Sequence, residues 1–289
     1  MTWKQIIARF TGMKRMIFPH PLREHAFLLK GEYHSWAEAR DNSFGYEDAD
    51  LVERVATHNK VREDLGERGF LLGDRELQIL SALMVAANHL SKRDLEIIDI
   101  GGELGGYYRS LSRFFSQNLN WTVLETEAMA SKGNELFSTT SLSFTHDETI
   151  LSKRRDQLDI ILASGVLQCL QNPAVFFEQI CEANAPYIIV SVLPLITKRK
   201  DILTCRLVKT DSYEESYPLW IFSKARWIEI LQHRYVIMYQ WQVSKSDTLS
   251  DGTTVNYSGF LLERKPIIEG DHRYGTNEPN ETRSHFGGR

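Results

Sequence analysis

The hydrophobic positions of the chain change their spacing along its length. Up to about residue 90, apolar residues recur three or four positions apart among charged ones, which predicts helices over residues 36–39, 51–65 and 74–90. The polar stretch 41–46 between them is rich in residues that favour turns, so a loop is expected there. Residues 1–90 are therefore predicted to form an N-terminal helical cap region.

From residue 95 onwards, short apolar runs alternate with helical segments. The runs are apolar at successive positions, as expected for strands of a parallel sheet that helices cover on both faces. Segments 107–115 and 174–183 have the length of crossover helices. Residues 91–265 are therefore predicted to form a three-layer α/β domain with a mostly parallel sheet, with candidate strands at 96–100, 121–124, 158–162 and 187–193.

The end of the chain has a different pattern. Two long β-rich runs, 235–243 and 255–263, flank the turn-rich stretch 246–252, which predicts a C-terminal antiparallel hairpin. Residues 266–289 are polar and rich in Gly, Asn, Glu and Arg, so few of them could fill a core. They are predicted to form a disordered tail.

Composition narrows the function classes. A chain of 289 residues with 42% hydrophobic and 25% charged residues is typical of a soluble globular protein, and a net charge of −4 disfavours nucleic-acid binding. Cys169, Cys181 and Cys205 form no CxxC pair and lack a close histidine, so we expect buried thiols in a reducing compartment and no metal site. No run has transmembrane length and no secretory signal is evident, so a cytoplasmic location is expected.

The first eighteen residues combine apolar positions at helical spacing with positive charge. This combination is typical of a helix that makes weak peripheral contact with an anionic membrane. Packing of the apolar stripe against the protein's own body is the alternative. The apolar positions are Trp3, Ile6, Ile7, Phe10, Met13 and Ile17, and the basic ones are Lys4, Arg9, Lys14 and Arg15.

A glycine-rich turn follows the first candidate strand of the α/β domain. Glycines let the backbone approach a ligand closely, and the helix that follows offers unpaired N–H groups at its start. About twenty residues later, Glu125 ends the next strand, the position from which a carboxylate binds ribose hydroxyls. These features predict a site for a ribose-containing cofactor; a plain strand-to-helix turn and a solvated Glu125 are the alternatives.

The sequence of the turn also favours one candidate cofactor, S-adenosylmethionine, over another, NAD. A dinucleotide fingerprint requires G-x-G-x-x-G, and Glu103 and Leu104 fall where glycine is needed, which disfavours NAD. S-adenosylmethionine has no phosphate but carries an ammonium and a sulfonium group. An acidic residue at the strand end, Asp99, suits these charges.

Segment 96–108 resembles motif I of class I S-adenosylmethionine-dependent methyltransferases, and Glu125 matches their ribose-binding acid. Segment 158–173 resembles their fourth-strand motif, and 144–147 lies where the family binds the adenine amino group. Glu103 departs from the family pattern because it replaces the middle glycine. The resemblance implies a Rossmann-like fold and S-adenosylmethionine as cofactor, bound through Asp99, Gly101, Gly102, Gly105, Glu125, His146, Asp147, Ser164 and Gly165.

More narrowly, residues 30–262 resemble a small bacterial family of methyltransferases that is associated with surface-polysaccharide gene clusters. The resemblance implies methyl transfer to oxygen, and less often to nitrogen, of a small molecule or glycan precursor. Its marks are the segments 31–36 and 45–46, the D-x-G-G-x-x-G turn, and the segments 164–168 and 216–220.

The acceptor side is less determined by the sequence. Alignment of the acceptor with the methyl group supplies most of the catalysis, and a base is needed chiefly for a hydroxyl acceptor. His34 and His146 are candidate bases because imidazole titrates near neutral pH, although structural or exposed roles are the alternative. A platform for a sugar, or else core packing, is predicted for Tyr33, Trp36, Tyr46, Tyr217 and Trp220.

Two other functions remain open at this point. A catalytically silent domain that has kept the fold to bind a partner fits the altered middle glycine and the lack of an evident base. A nucleotide-dependent oxidoreductase fits less well, because the pyrophosphate fingerprint is absent. The oligomeric state is not predicted by any pattern in the chain.

Overall fold

The computed structural model describes residues 26–44, 52, 53, 55–57, 72–209 and 214–266. The predicted segment 1–18, Tyr46 and the predicted tail beyond Pro266 lie outside the described residues. Within the described ranges, no helix is long and apolar enough to cross a membrane. The strands are β1 Ala26–Tyr33, β2 Asp94–Ile100, β3 Asn118–Leu124, β4 Leu142–Thr145, β5 Ile160–Ser164, β6 Tyr187–Ile196, β7 Ile202–Lys209, β8 Glu214–Ser223, β9 Tyr235–Thr248 and β10 Thr254–Arg264.

Most of the helices connect successive parallel strands along the chain. They are α1 Trp36–Asp41, α2 Asp74–Leu90, α3 Gly106–Leu111, α4 Glu127–Leu136, α5 Ile150–Lys153, α6 Pro173–Glu182 and α7 Lys224–Leu231, with 3-10 turns at Ser112–Phe114 and Leu167–Cys169. The predicted helix over 74–90 is confirmed at both ends, and α6 begins with Pro173, whose fixed φ suits the first helical position.

The strand order confirms the predicted Rossmann-like fold. The sheet runs β1-β7-β8-β6-β5-β2-β3-β4, and β10 pairs with β6 and β9. Its centre, β4-β3-β2-β5-β6, is parallel, and the order reverses between β2 and β5. The antiparallel pair β9 and β10 is the predicted C-terminal hairpin. In a sheet of this kind, ligands bind outside the carboxyl ends of the strands where the order reverses.

Both faces of the central strands are buried, which explains their continuous apolar runs. Ile97, on one face of β2, belongs to a cluster with α2, α3 and α4. Ile98, on the other face, belongs to a cluster with α5, α6 and α7. Successive residues of a strand point to opposite faces, so a strand covered on both sides is apolar throughout. This is the predicted three-layer arrangement.

The described part of the N-terminal region is not purely helical. Residues 26–33 form strand β1, which pairs antiparallel with β7, so the expectation of helical structure throughout residues 1–90 is wrong at this segment. An edge strand with a bulge between Lys30 and Tyr33 lacks the regular alternation that marks a strand in sequence. The division of the chain at residue 90 remains a prediction.

Strands β7 and β8 extend the sheet beyond its parallel centre. β8 pairs with only the last two residues of β6, Leu195 and Ile196, past the point where β5 ends. β7 and β1 then continue antiparallel from β8. These strands therefore lie next to the carboxyl ends of the parallel strands, on the side of β6.

Two bulges lie on opposite sides of the same short stretch of β10. On one side, Ser191 and Val192 of β6 oppose the single residue Gly259, and Val192 has a φ of +57°. On the other side, residues 243–245 of β9 oppose Tyr257. Bulges bend strands and redirect side chains, and they are frequent beside functional sites. The carboxyl-end half of β6 and the hairpin are therefore the irregular part of the sheet.

Candidate functional site

The glycine-rich turn and the end of β5 lie on the two sides of the point where the strand order reverses. Gly101 has a φ of +68°, and a Cβ placed on it would lie 2.8 Å from Cβ of Val166. Gly105 has a φ of +74° and precedes α3. The turn after β2 and the loop after β5 are thus in contact, and a side chain at Gly101 would drive them apart.

Asp99 is fully buried beside this turn. A Cβ on Gly102 would overlap its carboxylate, and neither carboxylate oxygen makes a hydrogen bond within the described part of the chain. Burial raises the pKa of Asp99 well above its usual range, and the carboxylates of Glu125 and Glu103 add to this rise. The nearby Trp121 indole opposes the rise without completing a hydrogen bond of good geometry.

Glu125 lies at the end of β3, as its spacing predicted. Its Oε1 accepts a hydrogen bond of 3.2 Å from the backbone N–H of Glu103, and its Oε2 accepts one of 2.8 Å from the N–H of Thr126. A carboxylate has about four acceptor positions, so two remain for hydroxyl donors. Burial raises the pKa of Glu125.

Glu103 adopts the backbone conformation expected of the glycine that it replaces. Its φ is +50°, in the left-handed region that favours glycine, at a cost of about 1 kcal/mol for other residues. Its N–H is the group that binds Glu125. The turn therefore contacts the acidic residue of β3 through the Glu103 backbone.

Ser164 is the last residue of β5, and Gly165 follows it. The hydroxyls of Ser164 and Tyr107 share a hydrogen bond of 2.9 Å, which connects α3 with β5 across the reversal point. Burial raises the pKa of Tyr107 to about 12. Gly165 has a φ of +77°, and its N–H donates to the carbonyl of Ser191. The sequence analysis missed Tyr107, although its place directly after the glycines was a usable signal.

His146 and Asp147 follow β4 at the edge of the parallel sheet. The His146 side chain is exposed. Asp147 accepts bonds from the Thr149 hydroxyl at 2.5 Å and from Nζ of Lys153 at 2.7 Å. These bonds, that of Lys153 foremost, lower the pKa of Asp147 to about 2. Asp147 thus holds the start of α5, and its predicted adenine contact stays a prediction.

The two candidate bases lie far apart. His34 follows β1 and His146 follows β4, and these strands stand at opposite ends of the strand order. The His34 side chain is exposed, and its backbone N–H donates to Oε2 of Glu38. The structure does not bring the two histidines to one site, so at most one of them could face a given acceptor.

The predicted aromatic set divides between two clusters. Tyr33, Trp36 and Trp220 pack around Cys205, between α1 and the sheet, whereas Tyr217 packs in a different cluster with Leu219. Positions 217 and 220 of one strand point to opposite faces, which excludes a common platform. The described members of the set therefore serve mainly as the packing that was the alternative interpretation.

A network of charged groups, which the sequence analysis did not identify, joins β7 to the hairpin. Nη2 of Arg206 pairs with Oδ2 of Asp247 and donates to the Tyr257 hydroxyl at 2.5 Å, and this hydroxyl donates to Oδ2 of Asp247 at 2.5 Å. Nζ of Lys245 lies 4.7 Å from the centre of the Tyr257 ring. These residues come together only through strand pairing, so no local pattern marks them.

The cysteines form no disulfide. Cys181 and Cys205 are buried and Cys169 is half-buried. Burial raises the pKa of Cys169 to about 12, and the same cause raises that of Cys181 to about 12. In the ranges that the structure describes, no group of three or more His, Cys, Asp or Glu side chains is arranged to hold a metal ion.

No protein-family model and no curated protein matches the chain. Among solved structures, a 1,6-didemethyltoxoflavin-N1-methyltransferase from Burkholderia thailandensis with bound 1,6-didemethyltoxoflavin and S-adenosylhomocysteine is 14% identical, with a TM-score of 0.43 over 77% of this chain and 93% of that one.

Two further structures are similar to the same degree. An S-adenosylmethionine-dependent methyltransferase from Clostridium acetobutylicum is 10% identical, with a TM-score of 0.47 over 73% of this chain and 99% of that one. Magnesium protoporphyrin IX methyltransferase from Synechocystis with bound S-adenosylmethionine is 14% identical, with a TM-score of 0.43 over 77% and 100%. Because these TM-scores are below 0.5, the fold assignment rests on the strand order and helix layers described above.

Proposed function

We propose that this protein is an S-adenosylmethionine-dependent methyltransferase that acts on an oxygen atom of a small molecule or glycan precursor. The buried carboxylate of Asp99 carries the proposal, because a buried acidic group without a hydrogen bond is costly unless a ligand compensates it. It lies beside a glycine-rich turn where the strand order reverses, which is the ligand position in folds of this kind.

The residues around the turn suit the proposed cofactor. Burial favours the protonated form of Asp99, and an ammonium or sulfonium group beside it would stabilise the ionised form. Glu125 keeps two acceptor positions for ribose hydroxyls. Gly101 and Gly102 leave the backbone accessible, and Ser164 and Gly165 would line the same crevice from β5. No pyrophosphate has to be held, in keeping with the absence of a dinucleotide fingerprint.

The chain's own contribution to catalysis would be chiefly positioning. S-adenosylmethionine supplies an already activated methyl group when it is bound. The protein then has to hold the acceptor oxygen in line with that group and exclude water, and such alignment alone can supply about 7–11 kcal/mol of the barrier. The glycan class and the link to surface polysaccharides rest on the sequence resemblance.

The proposal is tested by calorimetric titration of S-adenosylmethionine and S-adenosylhomocysteine. We expect the wild-type chain to bind both, and Glu125→Ala to weaken binding by at least about tenfold, because two charge-assisted hydrogen bonds are lost. Glu127→Ala is the matched control, since Glu127 is exposed in the first turn of α4 and should leave binding unchanged.

A second pair of variants distinguishes two causes of lost cofactor binding: backbone strain at a positive φ and a side chain placed in the site. Gly101→Ala and Gly252→Ala both place a side chain at a positive φ, of +68° and +84°. The new Cβ meets Val166 at Gly101, whereas nothing lies within 4 Å at Gly252, in the hairpin. Only Gly101→Ala should abolish cofactor binding. If the wild type does not bind at about millimolar ligand, the methyltransferase proposal is overturned.

A catalytically silent binding domain is the second candidate, and Glu103 favours it. The Glu103 carboxylate raises the pKa of both Asp99 and Glu125, so its charge opposes the ionised forms that the cofactor needs. The same titration separates the two candidates. A silent domain predicts a correctly folded wild-type chain that binds neither nucleoside.

A further inference from the structure

The charged network of β7 and the hairpin lies next to the end of β5. Cys169 follows Gly165 in the 3-10 turn after β5, and its Sγ lies 3.8 Å from the Gly165 carbonyl. The positive charges of Arg206 and Lys245 both act on the Cys169 thiol. Cys169 also packs in the cluster that contains Tyr257. The network therefore borders the loop that would line the methyl-transfer site.

Helix α2 closes the same region from another side. Nε2 of Gln78 donates a hydrogen bond of 3.0 Å to the carbonyl of Gln242 on β9, immediately before the bulged residues 243–245. Arg75 lies one turn earlier on α2 and is exposed. Its positive charge acts on both Lys245 and Tyr107.

Lys245 is directed into this region by the bulge on β9. Its ammonium lies over the face of Tyr257, a position that stabilises a cation. Burial lowers the pKa of Lys245 to about 8, with the charges of Arg206 and Arg75 in the same direction and those of Asp247 and Cys169 opposed. The positive charges of Arg206 and Arg75 and the carboxylate of Asp247 act on Lys245, so a negative charge placed beside its ammonium would be stabilised.

We propose that Lys245, assisted by Arg75, binds an anionic oxygen group of the methyl acceptor, a carboxylate or a phosphate, on the hairpin side of Ser164 and Gly165. This inference rests on the proposed function, since it names the acceptor class for the same site. Arg206 has a different task, because its guanidinium is held by Asp247 and Tyr257 and positions the strands. The Lys245 residue is half-buried and Arg75 is exposed.

The test uses two probes on the full chain, inorganic phosphate and acetate, titrated calorimetrically with and without saturating S-adenosylhomocysteine. Sodium chloride at equal ionic strength corrects for screening. We expect one of the probes to bind the wild type, and Lys245→Met to weaken it at least about tenfold through the loss of a charge-assisted bond. Arg75→Gln should weaken it by about threefold, because Arg75 is exposed.

Lys224→Met is the matched control, since Lys224 is exposed at the start of α7 and should leave anion binding unchanged. Phosphate binding that exceeds acetate binding would identify a phosphorylated acceptor, and the reverse a carboxylic acid. Failure of both anions to bind, or equal binding by wild type and Lys245→Met, overturns the inference. Binding of S-adenosylhomocysteine is measured in a separate titration. If S-adenosylhomocysteine does not bind, the proposed function is overturned, whereas the anion titration still tests whether Lys245 forms an anion site.

Discussion

The two sides of the point where the strand order reverses bury charge in different ways. On the side of the glycine-rich turn, the fully buried carboxylate of Asp99 makes no hydrogen bond within the described residues. On the hairpin side, the buried groups of Arg206, Asp247 and Tyr257 bind one another across three strands. Buried charges are normally paired, and a buried carboxyl group without a partner keeps its proton, as the raised pKa of Asp99 indicates, until a cation stabilises the ionised form.

This difference distinguishes the Arg206 network, which stabilises the fold, from Asp99, which we propose binds a ligand. The Arg206 network connects β7 with β9 and β10 and fixes the irregular part of the sheet. Asp99, in contrast, lowers stability unless a cation lies close to it. Substitutions on the two sides should therefore have opposite effects on the free energy of unfolding.

The largest effect is expected from Arg206→Met. Removing Arg206 takes away the partner of Asp247 in a buried ion pair and leaves it the Tyr257 hydroxyl, so the loss of unfolding free energy should reach up to about 3–5 kcal/mol. Chemical denaturation measures the loss. Arg226→Met is the control, because Arg226 also pairs with an aspartate, Asp201, but its own side chain is 53% exposed. Similar losses in the two variants would contradict the structural role of the Arg206 network.

The hairpin network also shows where sequence reasoning ends. The reversal-point residues were predictable because strand, glycine-rich turn and acidic residue follow one another at fixed spacing, as with Asp99, Gly101 and Glu125. Lys245 and Tyr257 are neighbours because β9 and β10 pair with a bulge, and Arg206 reaches Tyr257 from β7, a strand that does not pair with β10 in the described part of the chain. Periodicity reports burial along one segment and carries no information on such long-range register.

The same limit explains the errors at the sheet's other end. β1 and β7 belong to an antiparallel extension whose pairing with β6 is made through two residues of β8. Trp220 and Tyr217 were placed in one predicted platform because both are aromatic. Side chains alternate between the two faces of a strand, so these two side chains point to opposite faces of β8. A strand assignment for β8 was therefore needed before its side chains could be grouped.

The second largest effect is expected from Asp99→Asn, with the opposite sign on stability. The raised pKa of Asp99 means that the folded chain retains its proton, so wild-type stability falls as pH rises from about 4 through the folded-state pKa. The asparagine does not titrate, so it lacks this pH-dependent loss, and at neutral pH the variant should be more stable than the wild type. It should also bind S-adenosylmethionine at least about tenfold more weakly.

Thermal unfolding at about pH 4 and about pH 7.5 measures this stability difference. The higher stability of Asp99→Asn over the wild type should be present only at the higher pH. Asp94→Asn serves as the control, since Asp94 is exposed at the start of the same strand. A variant that is destabilised at both pH values would mean that Asp99 has a structural partner and is not held for a ligand.

A smaller effect is expected from Tyr107→Phe, which removes the hydrogen bond between α3 and β5. Loss of this bond should cost about 1 kcal/mol of unfolding free energy. Tyr108→Phe is the control, because Tyr108 packs edge-on against Trp121 with ring centres 6.0 Å apart and keeps this contact without its hydroxyl. Equal unfolding free energies of Tyr107→Phe and the wild type would show that the Ser164 hydroxyl finds another partner.

The smallest effect on stability is expected from Glu103→Gly. Glycine relieves about 1 kcal/mol of strain at a φ of +50° but adds a similar amount of chain entropy to the unfolded state, so the free energy of unfolding should change by less than about 0.5 kcal/mol. The backbone N–H that binds Glu125 is retained. Loss of the carboxylate should lower the pKa of Glu125 and strengthen S-adenosylhomocysteine binding by up to about threefold.

Glu103→Gln separates the two causes, because it removes the charge and keeps a side chain at the strained position. Equal calorimetric gains in Glu103→Gly and Glu103→Gln would assign the effect to charge, and a gain in Glu103→Gly alone would assign it to the shape of the turn. A loss of binding greater than about tenfold in both variants would mean that the Glu103 carboxylate itself contacts the ligand. In that case the residue that departs from the family pattern would be part of the site.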